Sequence, residues 1–148
     1  MERRISIASF QPPHFANKKY LDDAVKIADE IITVMQPNEK TCFKICSEYV
    51  LSGVIKHLQQ RGYNVQKVQA TGDLKAMVER GYVRWCTETG VPEELLRDKK
   101  RFWAFLKCVA EKPHLRESLV KTGWASWQNR WRNEIYTNHQ IGPVQRTR

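Results

Sequence analysis

The chain has 148 residues, a formal net charge of +9, 41% hydrophobic residues and 28% charged residues. This length suits one hydrophobic core, and the composition is that of a folded globular protein, which excludes disordered and collagen-like chains. No stretch approaches the roughly 20 apolar residues of a membrane-spanning helix, and the apolar segment 5–10 is too short for a secretory signal, so we expect a cytoplasmic protein without a membrane span.

The first two predicted elements are a strand and a helix. Residues 4–10 mix β-branched and small side chains and are followed by Pro12, which cannot continue a ladder, so this segment is predicted to be a strand. From Lys18 to Met35, apolar residues recur at steps of three and four, with charged residues between them. This spacing predicts an amphipathic helix that ends before Pro37.

A βαβ unit is predicted for residues 41–69. The short apolar run 41–46 is followed by helical spacing of apolar residues over 48–61, and Gly62 stands directly after that helix. Residues 63–69 then alternate between apolar and polar, as a half-buried strand does. A crossover of this length joins parallel strands, so we expect the two strands to run in parallel.

Helices are predicted for the rest of the chain. One opens at Thr71 and ends near Gly90, and a second begins at Pro92 and continues to Glu111, before Pro113. Two shorter helices are predicted within 114–122 and 124–136.

Together these elements predict an α/β fold with a small, mainly parallel sheet of three strands or slightly more. Helices cover this sheet, and from about residue 92 the chain continues as a helical C-terminal extension. We expect residues 1–137 to form a single α/β domain, and residues 138–148, which lack apolar periodicity, to be a mobile tail. Because three strands make a small sheet, we also expect a homo-oligomer that extends or covers it.

The cysteines and histidines do not have the spacing of metal ligands or of a disulfide framework. The four histidines are scattered singly, and the cysteines lie in apolar sequence, where reducing cytosol keeps thiols free. We therefore predict no metal site and no disulfide, and we interpret all four cysteines as core residues, namely Cys42, Cys46, Cys86 and Cys108.

The first candidate site consists of residues that follow the predicted strands. In an open parallel sheet, ligands bind beyond the carboxyl ends of the strands. His14, Glu48 and Asp73 follow the first, second and third strands, and such side chains suit Mg²⁺ binding and acid–base catalysis. If the protein is an enzyme, these three are the predicted catalytic residues of a small Mg²⁺-dependent nuclease or phosphodiesterase. A simpler interpretation is that Ser47 and Thr71 cap helices and that the acids complement helix dipoles.

The second candidate site is the basic segment 97–132. It holds ten Lys and Arg residues and three acidic residues, whereas residues 1–96 hold thirteen Lys and Arg residues and twelve acidic residues. One-sided positive charge attracts polyanions, and aromatic side chains among the cations can stack on bases. The favoured hypothesis is therefore a protein that binds nucleic acid, either RNA or DNA. Its predicted contacts are Arg97, Lys99, Lys100, Arg101, Lys107, Arg130 and Arg132.

Three tryptophans in the C-terminal region allow two interpretations. Trp124, Trp127 and Trp131 have the i, i+3, i+7 spacing of a helix face that packs into a core. Trp and Arg are also favoured anchors at protein interfaces. A third functional hypothesis is thus a non-catalytic subunit that docks a protein partner. The sequence leaves open whether this tryptophan stripe lies in the core or at an interface.

Overall fold

The computed structural model describes residues 1–96 and 101–137, in which helices predominate. In chain order the helices and strands are α1 (Lys19–Met35), β1 (Cys42–Cys46), α2 (Ser52–Gln60), β2 (Asn64–Val68), α3 (Gly72–Glu88), α4 (Glu93–Leu96), α5 (Arg101–Glu111), α6 (Pro113–Arg116) and α7 (Arg132–Thr137). Short 3₁₀ turns lie at Ile7–Phe10, Tyr49–Leu51 and Glu117–Leu119, and a π-helical turn lies at Trp127–Trp131. The protein is of mixed α/β type.

The segment β1, α2 and β2 forms the predicted βαβ unit. The strands are parallel, with Cys42 opposite Asn64 and Cys46 opposite Val68. Gly62 connects α2 to β2 at a φ of 83°, a conformation that glycine adopts at little cost. The prediction of a parallel crossover over residues 41–69 is confirmed.

The first core lies between α1, α2 and one face of the sheet. Ala24 and Ile32 from α1 meet Val54 and Leu58 from α2, and Phe43 from β1 packs against them. The amphipathic helix predicted from this spacing is therefore observed as α1, and its apolar side packs against α2. α1 begins one residue later than predicted and ends at Met35 as predicted.

The other face of the sheet carries exposed polar side chains. Lys44, Asn64 and Gln66 alternate with the half-buried Phe43 and Val65. Such alternation allows one face of a sheet to remain in water. The expected homo-oligomer stays a prediction.

The predicted first strand is wrong. Residues Ile7–Phe10 form a 3₁₀ turn, and the backbone N–H of Ala8 donates a hydrogen bond to the Ser6 hydroxyl at 3.3 Å. A local side-chain acceptor of this kind stabilises a turn in competition with a ladder. Among the described residues the sheet therefore has two strands, where three were predicted.

The C-terminal helices enclose two further clusters. One contains Cys86, Val91, Leu96 and Cys108, and the other contains Leu106, Val109, Ala110, Trp127 and Ile135. The helix predicted from residue 92 to 111 is observed as α4 and α5, and residues 97–100 between them lie outside the described part of the chain, as does the predicted tail. Within the two described ranges, no helix is long and apolar enough to cross a membrane.

The four cysteines are free thiols, but they do not all lie in the core. Cys86 and Cys108 are buried, and burial raises the pKa of both thiols. Cys46 is half-buried, whereas Cys42 is exposed because it shares the outer face of the sheet with Lys44. The prediction of a core role is confirmed for Cys86 and Cys108 and is wrong for Cys42.

Candidate functional site

The three predicted catalytic residues lie on the surface. Glu48 follows β1, directly before the turn Tyr49–Leu51, and Asp73 lies in the first turn of α3, after β2. Because β1 and β2 are parallel, both residues emerge at the same edge of the sheet. His14 does not follow a strand, since the segment before it is a 3₁₀ turn. Among the described residues, no hydrogen bond or ion pair joins these three to one another.

Ser47 links the carboxyl ends of the two strands. Its backbone N–H donates to the carbonyl of Val68, and the Gln69 amide donates to its hydroxyl, each at 3.0 Å. Neither Ser47 nor Thr71 supplies a side-chain cap to the following helix. No cluster of three or more His, Cys, Asp or Glu suited to a metal ion occurs in residues 1–96 and 101–137. The hypothesis of a Mg²⁺-dependent nuclease or phosphodiesterase stays a prediction. Its only structural support among the described residues is that Glu48 and Asp73 emerge at the same edge of the sheet.

An aromatic cluster joins α5 to the π-helical turn. It consists of Phe102, Trp103 and Trp131, whose rings meet edge to face with centroids 5.3–5.6 Å apart in all three pairs. Trp103 and Trp131 pack against the core cluster that contains Leu106 and Trp127. Phe102, in contrast, is 51% exposed. The aromatic cluster is therefore anchored in the core and open to solvent.

Cations lie beside the aromatic cluster. The guanidinium carbon of Arg130 is 4.1 Å from the centroid of the Trp131 ring, which is cation–π geometry. Lys107 is exposed and lies one helical turn beyond Trp103, on the same face of α5. Exposed rings flanked by positive charge are the features with which proteins bind single-stranded nucleic acid.

Three of the predicted nucleic-acid contacts hold ion pairs within the chain. The pairs are Arg101 with Glu79 at 2.8 Å, Arg130 with Glu134 at 2.8 Å and Arg132 with Glu117 at 2.9 Å. Glu79 and Glu134 lie outside the segment 97–132, so a charge count along that segment omits them. The surface is thus less positive than the sequence indicated. Arg97, Lys99 and Lys100 lie outside the described residues.

Glu117 positions the C-terminal turn that carries Trp131. Its carboxylate accepts hydrogen bonds from the Trp127 indole at 3.2 Å, the Arg132 guanidinium at 2.9 Å and the Tyr136 hydroxyl at 2.7 Å. Burial alone would raise the pKa of Glu117, but these hydrogen bonds outweigh it and hold the pKa below its ordinary value. Sequence reasoning missed this residue, because no local motif marks it.

The tryptophan stripe divides between core and surface. Trp127 is 5% exposed and Trp131 is half-buried, whereas Trp124 is 54% exposed. Trp124 lies in the turn before the helix begins and so does not share the helix face. The core interpretation is confirmed for Trp127, and the role of Trp124 as an interface residue stays a prediction.

Comparisons with known proteins found no relative of this chain. A scan against protein-family models, a search of curated proteins and a search of solved structures each found no match. Function is therefore inferred from the residues of this chain.

Proposed function

We propose that this protein binds single-stranded nucleic acid, without sequence preference, through the aromatic cluster and the cations beside it. The observation that supports this most directly is the exposed Phe102 ring, which Trp103 and Trp131 hold edge to face. Every base has a π face, so a ring fixed in this way can stack on any base and contribute about 1–3 kcal/mol. Arg130 and Lys107 supply positive charge for the adjoining phosphates.

Two features favour a single strand over a duplex. The bases of a duplex are already stacked on one another, whereas an unpaired strand can present a base to Phe102. In addition, Arg101, Arg130 and Arg132 share their charge with carboxylates of the chain, which weakens a purely phosphate-based contact. Stacking on the aromatic cluster therefore contributes more to the proposed affinity than phosphate contacts do.

An anisotropy titration tests the proposal. Labelled single-stranded RNA and DNA of mixed sequence are titrated with the full chain at several salt concentrations, beside a duplex of the same length. With two phosphate contacts, from Arg130 and Lys107, at roughly 0.7 each, we expect log affinity to fall against log salt with a slope of about −1.4. Because a duplex offers no free base to the aromatic cluster, it should bind about tenfold more weakly than the single strand.

Matched variants separate stacking from charge. Phe102→Ala should lower the affinity about tenfold, because it removes the exposed stacking ring, and should leave the salt slope unchanged, because it removes no charge. Lys107→Gln should make the slope shallower by about 0.7, because it removes one phosphate contact. The controls are Leu115→Ala, a 73% exposed apolar residue on α6, and Lys56→Gln, an exposed cation on α2. Equal losses in the controls, or no binding at low salt, would overturn the proposal.

A further inference from the structure

A groove of about 1120 Å³ lies between the N-terminal segment 1–10, α3, α5 and the chain at 116–121. Its lining is mostly apolar and includes Ile5, Phe10, Met77, Trp85 and Phe105. This volume is slightly larger than the usual range for ligand-binding pockets, which is about 300–1,000 Å³. The groove is therefore large enough for an extended apolar chain.

Contacts at both ends hold the N-terminal segment beside the groove. Arg4 pairs with Glu88 of α3 at 3.1 Å. At the other end, the side-chain amide of Gln11 donates to the backbone carbonyls of Ser118 at 3.0 Å and Val120 at 2.8 Å. One wall of the groove is thus fastened to parts of the chain that are distant in sequence.

The charge along the groove is one-sided. Of the described lining residues, Arg3, Arg4, Arg116 and Lys121 are cationic and Glu2 is acidic. Each of the three arginines pairs with a carboxylate of the chain.

Lys121 differs from those arginines. The residue is exposed, its ammonium lies 4.4 Å from the centroid of the Phe10 ring, and partial loss of hydration there lowers the pKa of Lys121. No carboxylate within the described ranges pairs with it. Among the described side chains that line the groove, Lys121 is therefore the cation without a carboxylate partner, and it lies beside an apolar wall.

We propose that the groove binds an amphipathic carboxylate, with its apolar chain along the lining and its carboxylate on Lys121. A cationic side chain without a carboxylate partner can bind a carboxylate headgroup, and apolar walls favour a hydrocarbon body over a polar one. This site adjoins the proposed nucleic-acid surface, but its test uses Lys121, which is not part of the aromatic cluster. Phe102 lines the groove as well, and its variants are left out of this test.

Calorimetric titration of the full chain with decanoate, decanol and decylammonium, all below micelle-forming concentrations, tests the proposal. Decanoate should bind about tenfold more tightly than decanol, because it alone forms the charged hydrogen bond, and decylammonium should bind most weakly. In Lys121→Gln, decanoate and decanol should bind within about twofold of each other, with decanol unchanged. A merely structural role for Lys121 would instead weaken both ligands equally and would overturn the proposal.

A second pair of variants tests the location. Val78 lines the groove and is 59% exposed, so Val78→Glu should fold and place a carboxylate against the ligand. We expect this variant to lose decanoate binding, while Val34→Glu, a 63% exposed residue of α1 outside the lining, should bind as the wild type does. Equal affinity of the wild type for decanoate and decanol, no binding of either, or equal losses in both valine variants would overturn the proposal. Circular dichroism of each variant confirms that it is folded.

Discussion

At the scale of single residues, Glu117 is the clearest case of a role that local sequence does not reveal. Its three donors come from Trp127, Arg132 and Tyr136, which are ten to nineteen positions further along the chain. Their convergence depends on how the 3₁₀ turn at Glu117 packs against the last helices. Lys107 and Arg130, by contrast, were predicted as binding residues from charge alone, although whether Arg130 was already paired could not be known.

Replacing Glu117 tests this role. Glu117→Gln should lower the free energy of unfolding at pH 7 by about 1–3 kcal/mol, because it leaves donors without a charged acceptor. The pKa of Glu117 is lower in the folded protein than the ordinary value of 4.5, so its contribution is present above pH 4.5 and is lost as the pH falls through the folded value. Urea denaturation of both proteins should show the difference shrinking in acid.

The control for this prediction is Glu111→Gln. Glu111 forms a 3.0 Å ion pair with Arg116, but its side chain is well exposed, so we expect a change within about 1 kcal/mol. A deficit of Glu117→Gln that stayed constant from pH 7 to pH 3 would contradict the assigned role.

At the scale of elements, the βαβ unit could be predicted because its signals are local. Gly62 at the helix end and the alternation that follows it lie next to each other in sequence, and the structure places both as expected. The segment ending at Phe10 could not be predicted in this way. Its backbone carbonyl accepts a hydrogen bond from Gly123 at 3.0 Å, and Ser6 accepts one from Ala8, so distant and local hydrogen bonds favour a turn over the strand that its β-branched residues suggested.

Substitution of Gly62 tests the importance of the connection between α2 and β2. Gly62→Ala should lower the free energy of unfolding by about 1–2 kcal/mol, because a side chain at positive φ strains the backbone. A Cβ there would meet no atom within 4 Å, so no steric clash contributes. Gly62→Asn should lose less stability than Gly62→Ala, since Asn tolerates this conformation. Gln60→Ala, on the exposed side of α2, should leave the free energy of unfolding almost unchanged. Thermal and urea unfolding of the three variants would measure these differences. Equal stability of Gly62→Ala and the wild type would refute the prediction.

At the scale of the whole molecule, contacts between distant segments change what the charge pattern predicts. Arg101 pairs with Glu79, Arg4 pairs with Glu88, and Arg84 pairs with Glu2. A count along the chain cannot include such pairs. For the basic segment 97–132, the pairs of Arg101 with Glu79 and of Arg130 with Glu134 make the surface less positive than the count of its residues indicates. The aromatic content of the candidate surface could be predicted from sequence, whereas the exposure of Phe102 follows from packing and could not.

The Gln11 side chain offers a test of the contact between the N-terminal segment and residues 118–120. Gln11→Ala should lower the free energy of unfolding by about 1–2 kcal/mol, because it removes one exposed and one half-buried hydrogen bond, while the Val120 carbonyl still accepts from the Thr122 N–H. The control is Arg3→Gln, which removes an exposed 3.5 Å ion pair with Glu30 and should cost less than about 1 kcal/mol. Equal unfolding midpoints for Gln11→Ala and wild type would show that the connection does not stabilise the fold.

Photocrosslinking tests the proposed nucleic-acid surface most directly. A single-stranded RNA that carries 4-thiouridine is irradiated with the full chain, and the modified peptides are identified by mass spectrometry. We predict crosslinks at Phe102, Trp103 or Trp131 that unlabelled single-stranded RNA competes away and that duplex RNA removes less well. Crosslinks confined to α1 and α2, or crosslinks at the aromatic cluster that no competitor removes, would contradict the proposal.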